Sequence, residues 1–217
     1  MGIFNKLFGG QKKKQKNPEI TSNVSNEELI NLKTSSKPEP EIIKRYRETY
    51  QGYSPSELND MYFNFMDKLL AAKRDGNIRN LLMYSQSTLG LLEPLIKYNY
   101  KEYGDFSIRS IPAIENGLIY FAINGNNGQL KNIREIVNYF KDLHSFKYEV
   151  DVAFKRRKLA ADIYKHVKSN PECLQSDLKK NVACDDGRFI STTVGYMEKA
   201  GKLKKERQGK KLLLLAI

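Results

Sequence analysis

Five basic residues crowd one turn near the end of the chain. Lys204, Lys205 and Arg207 precede Gln208-Gly209, and Lys210 and Lys211 follow it. Side chains of this type bind polyanions, since each can pair with a phosphate oxygen and orient a complex without reading sequence. A lysine-rich edge hairpin that resists aggregation is the plainer reading. It accounts for two or three lysines, not for five basic residues around one turn. The 37 Lys and Arg outnumber the 25 Asp and Glu, a net +12. Residues 155–217 hold 16 basic and 7 acidic side chains, +9 of that total. The first sixteen residues add +5 through Lys6, Lys12, Lys13, Lys14 and Lys16, which leaves −2 for everything between. Positive charge is thus segregated into two places, as a polyanion-binding surface requires.

Other chemistry finds little foothold. The two histidines, His144 and His166, stand 22 residues apart in helical, lysine-bearing contexts. The two cysteines, Cys173 and Cys184, lack CxxC spacing, and zinc would need further ligands. Buried thiols in a reducing cytoplasm are the expectation for them. No phosphate-binding G-x-x-x-x-G-K-[ST], no G-x-S-x-G and no paired-histidine motif occurs. The carboxylates of Asp185-Asp186 are accounted for by helix capping. The sequence predicts no enzyme, no metal and no cofactor.

The elements that must hold the basic turn are legible from Arg157 onward. Leu159, Ile163 and Val167 recur every fourth residue on one face of a first helix. Asn170-Pro171 ends it, because proline disfavours the α conformation in the residue before it. Gln175-Ser176-Asp177-Leu178 opens a short second helix with Leu178 and Val182 inward. Asp185-Asp186 offers carboxylates to the free amides of a third helix. There Ile190, Val194, Met197 and Gly201 form a single stripe at spacings of four, three and four. Leu203–Arg207 and Lys210–Leu215 then read as two strands joined at Gln208-Gly209.

QSDLKK, then ISTTVGYMEKAGKL, then KKERQGKKLLLLAI resemble, in order and spacing, the winged helix-turn-helix domains of bacterial regulators. The likeness covers roughly the last quarter of the chain. Leu174 replaces the usual capping Thr or Ser, and the wing is short. The resemblance implies that Ile190, Val194 and Met197 are core. Arg188, Ser191, Thr192 and Gly195 then face outward, with Phe189 and Tyr196 at the flanks. A recognition helix enters the major groove with its N-terminal residues leading, which makes Arg188 the candidate base contact. Arginine can bond both acceptors of a guanine edge. Ser191 and Thr192 would reach bases or phosphates, and Lys204, Lys205, Arg207, Lys210 and Lys211 would hold phosphates.

The fold class expected is mainly α: a helical-hairpin bundle over 41–154, then a winged helix-turn-helix over 155–217. Residues 1–40 read as a largely disordered basic and polar tail. Within it Ser25-Asn26-Glu27-Glu28 is a capping signal. Met1 to Lys16 pairs four large apolar residues with a lysine run, which suits an anionic membrane surface. A flexible or partner-binding tail is the preferred reading, as the segment is too short to span a bilayer. In the bundle, Ser54-Pro55-Ser56-Glu57 starts one helix and Ser110-Ile111-Pro112 another. The two hairpins expected, Pro55 to Leu92 and Pro112 to His144, resemble tetratricopeptide-type units. Their turns lie about fifty residues apart rather than thirty-four, so an ordinary bundle stands beside that reading. Nine of the thirteen tyrosines lie between Tyr46 and Tyr120. They mark a partner-binding or self-associating face, or else a core rim. Phe146 to Lys158 is helical in pattern and joins the two blocks without a flexible linker. The favoured function is a cytoplasmic double-stranded DNA binder acting in transcriptional regulation. The alternative is a protein-interaction adaptor whose basic tail touches membrane or nucleic acid.

Overall fold

Local signals fix where the helices begin. The computed structural model describes residues 38–104, 106, 110–209 and 211–217. The readings made for the tail and for Lys210 fall outside these. Helix α1 (Glu41–Thr49) leads into α2 (Pro55–Arg74). At the start of α2 the expected capping box is formed: Ser54 Oγ accepts from Glu57 N, and Glu57 Oε2 accepts from Ser54 N at 2.7 Å. Gly76, at φ +67°, turns the chain into α3 (Ile78–Gly90). A new helix, α4 (Leu92–Tyr103), then begins around Glu93-Pro94. Proline at the first position opens α5 (Pro112–Ile123), followed by α6 (Asn127–Tyr139) and a 3₁₀ segment, Lys141–Phe146.

These helices share one core, from Ile42 to Ala153. The α2–α3 hairpin packs side by side, and α4 lies on α2. Helix α5 sits in the middle, against α3, α6 and the long helix α7 (Lys147–Ser169). Its Ala113, Ile114, Gly117, Leu118, Phe121, Ala122 and Ile123 are all buried, so apolar burial wraps most of the helix rather than one side. Arg47 bonds Glu93 at 2.7 Å and also pairs with Glu39, which latches α1 to the start of α4. Of the nine tyrosines, Tyr62 and Tyr100 are buried and five more are half-buried, while Tyr53 and Tyr103 are exposed.

Helix α7 contains no proline or glycine and runs unbroken from this core into a second one. Val150 and Ala153 belong to the first, and Leu159, Ala160, Ile163 and Val167 to the second. After it come β1 (Cys173–Leu174), a 3₁₀ turn at Gln175–Asp177 and one turn of α-helix, α8 (Leu178–Asn181). Helix α9 (Gly187–Lys199) and the strands β2 (Leu203–Gln208) and β3 (Lys211–Ala216) complete the fold. The three strands form an antiparallel sheet in the order β1-β3-β2, with Leu203 opposite Ala216 and Gln208 opposite Lys211.

Two expectations are overturned by the structure, and one element was not expected at all. Gly201 is not part of the apolar stripe of α9: it is exposed at φ +67°, the left-handed conformation that ends helices. Val182 is only half-buried, because the second helix is a single turn and ends before it. Strand β1, absent from the reading of the sequence, exists because Cys173 and Leu174 pair with Leu214 and Leu213 of β3. The chain is therefore mainly helical, with a small three-stranded antiparallel sheet after the helices. No described helix is long and apolar enough to cross a membrane.

Candidate nucleic-acid interface

Asp186 sets the start of α9. Its Oδ1 accepts from the backbone N–H of Arg188 and of Phe189, both at 2.9 Å, satisfying two of the amides a helix start leaves free. Asp186→Ala is expected to cost about 1 kcal/mol of stability, and Asp186→Asn only a fraction of that. Urea titration of the two variants reads the difference. Equal midpoints would remove the cap from the account.

From this start the helical period sorts the side chains. Ile190, Thr193, Val194 and Met197 are buried. Arg188, Ser191 and Thr192 are exposed, as are Glu198 and Lys199 further along. Gly195 lies on the same outer side, and a Cβ built there would meet nothing within 4 Å. Its glycine therefore answers no packing need within the molecule, although glycine costs about 1 kcal/mol relative to alanine inside a helix. The flank carrying Phe189 and Tyr196 is covered. The Tyr196 ring meets Tyr120 of α5 edge-on, centroids 5.8 Å apart, and Arg156 of α7 lies over both Phe189 and Tyr196. Ser191 Oγ accepts from Gln175 Nε2 at 3.3 Å, and Thr192 Oγ1 donates to Phe189 O at 3.0 Å.

The hairpin brings its basic residues beside this helix with unequal freedom. Lys204 Nζ lies 2.8 Å from Glu206, whose hydrogen bond and charge raise the lysine above its ordinary value. Lys205 is half-buried and pairs with Glu198 of α9 at 2.7 Å. Arg207 and Lys211 are exposed, and neither lies within ion-pair distance of a carboxylate among the described residues. Two further cations lie close to this face. Lys179 and Lys180, both exposed on α8, stand in the QSDLKK phrase and were readable as charges. Only the fold brings Lys179 to face Lys211. The two line a cleft of about 430 Å³ together with Gln175, Ser176, Ile190 and Ser191, and no acidic side chain borders it among the described residues.

The remaining chemically able groups are scattered. His144 and His166 are half-buried, and His144 Nε2 lies 3.3 Å from the Asn138 carbonyl oxygen. Both cysteines are free. Burial pushes the Cys173 thiol above its ordinary value, with the Asp177 charge adding to it, so its thiolate is disfavoured. Among the described residues no group of three His, Cys, Asp or Glu could hold a metal. No protein-family model matches the chain, and neither a curated protein nor a solved structure gives a significant match.

Proposed function

We propose that residues 155–217 form a winged helix-turn-helix that binds double-stranded DNA. In this reading α9 lies in the major groove, the β2–β3 hairpin rests on phosphates, and the protein regulates transcription. One observation carries it. The solvent side of α9 is small and polar at its N-terminal half, with Arg188, Ser191 and Thr192 exposed and Gly195 leaving room. It adjoins an acid-free cleft between Lys179 and Lys211. A helix that docks in a protein groove lays an apolar face into it instead. The order helix, strand, helix, helix, hairpin, with β1 beside β3, supports the same reading. The exposed ion pair of Lys204 is no obstacle, since such pairs contribute about 0–1 kcal/mol and yield to phosphate, whereas Lys205, half-buried against Glu198, is the less free of the two.

The test separates reading from holding. Duplexes selected from a random pool serve as preferred sites, with unrelated duplexes as controls and salt as a variable. Arg188→Ala is expected to cost about 1–3 kcal/mol against a selected site and far less against random DNA, because a bidentate base contact is sequence-specific. Arg207→Ala with Lys211→Ala should weaken binding to every duplex and reduce the salt slope by roughly 2, about one counterion for each lost phosphate contact. If the wild type retains no duplex at low salt, or if both variants bind as it does, the DNA reading falls. The adaptor function, with α9 turned to protein, would then replace it.

A further inference from the structure

Arg156 occupies a place where a cation is costly. It lies midway along α7, and only 9% of its surface is exposed. No carboxylate is within ion-pair distance of it among the described residues. Two rings of α9 form a sleeve around it instead, with Cζ 4.6 Å from the Phe189 centroid and 5.2 Å from that of Tyr196. Nη1 donates to Thr193 Oγ1 at 3.3 Å and reaches Thr192 Oγ1 at 3.5 Å, while Nε is buried with no partner among the described residues. Ring faces and hydroxyls offset only part of the desolvation of a full charge. A methionine of similar length would fill the same sleeve with no charge to desolvate. Stability alone therefore gives no reason for an arginine here.

Its position does. Thr192 belongs to the exposed face of α9, so the guanidinium stands one hydrogen bond behind the surface that carries Arg188 and Ser191. We propose that Arg156 is a positioning residue for DNA: a buried cation with no counter-ion among the described residues, whose counter-charge is the phosphate backbone flanking the groove that receives α9. The inference rests on the winged-helix reading above. Protein around the charge screens it less than water does, so its attraction for a polyanion exceeds that of a solvated lysine at the same distance. The same contacts hold Thr192 and Tyr196 in place, and Tyr196 is braced by Tyr120 of the helical bundle. The orientation of the reading face is thereby tied to the rest of the chain.

The experiment uses the full-length protein, with R156M and R156K, in thermal melts without DNA and in anisotropy titrations against a selected duplex at several salt concentrations. R156M is expected to melt no lower than the wild type. It should nevertheless bind the duplex about three- to tenfold more weakly at low salt, with the gap closing as salt rises. R156K, which keeps the charge, should bind close to the wild type. An R156M protein that melts lower and binds equally well would make the arginine a structural brace and overturn the proposal. If R156M does not fold, the comparison passes to R156K against R156Q, where equal affinities overturn it. A wild type that binds no duplex at all defeats the winged-helix reading itself, whereas duplex binding unaffected by R156M defeats this inference alone.

Discussion

Ile163→Ala is expected to lower the unfolding free energy by about 2–5 kcal/mol, the cost of deleting a fully buried branched side chain and leaving part of its volume empty. Ile163 is wholly buried on α7, in the core that gathers Val167 of the same helix, Leu178 of α8, Val194 and Met197 of α9, Leu203 of β2 and Leu214 of β3. Against a total stability of about 5–15 kcal/mol for a domain, such a loss removes a large share of the margin, a factor of about 30 to several thousand in the ratio of folded to unfolded protein. Ile163→Val, which removes one methylene, should cost only about 0.5–1.5 kcal/mol. Urea unfolding of the two variants measures the ratio. A loss below about 1 kcal/mol for the alanine variant would mean that α7 does not seat this core.

Gly117→Val is expected to destabilise by about 3 kcal/mol, the upper end of the usual overpacking cost. The position is one where α5 crosses α3 with almost no clearance. A Cβ on Gly117 would stand 2.7 Å from Ser85 Oγ and 2.8 Å from Ser85 Cβ. Ser85 Cβ is fixed to its own backbone, so relief requires the two helices to separate. Ser85→Gly should restore the space and reduce the cost of Gly117→Val, because the two changes act on one contact. Ser85→Ala alone should be nearly neutral or mildly stabilising, since the buried Ser85 hydroxyl has no hydrogen-bond partner among the described residues. A double-mutant cycle decides it, and additive effects would place the clash elsewhere.

The starts of α2 and α9 were legible because their causes are local. The Ser54–Glu57 box and the Asp186 cap act across three residues, and the hydrogen bonds that form are the ones those residue types make. The Ile190, Val194 and Met197 stripe was equally readable, and the exposure of Arg188, Ser191 and Thr192 follows from the same helical period. The hairpin turn at Gly209, at φ +59°, was marked by the glycine itself. The end of α9 at Ala200-Gly201 was legible too, but Gly201, whose spacing fits the stripe, is exposed at φ +67° rather than buried with it.

What the sequence determined by itself is therefore the succession of helices, the outward polar face of α9 and the basic hairpin beside it. Capping, periodicity and turn chemistry are all settled within about four residues. The tertiary structure alone decided that two residues after α7 become a strand, because a segment that short has no period and is defined only by its partner Leu213-Leu214. It decided too that Ile123 leaves the bundle for the second core, that Tyr120 braces Tyr196, and that Arg156 is sheathed by Phe189 and Tyr196. Those contacts join residues 33 to 76 positions apart. Which of many apolar or aromatic side chains meet at such separations depends on the mutual packing of whole helices, and no local pattern along the chain records it.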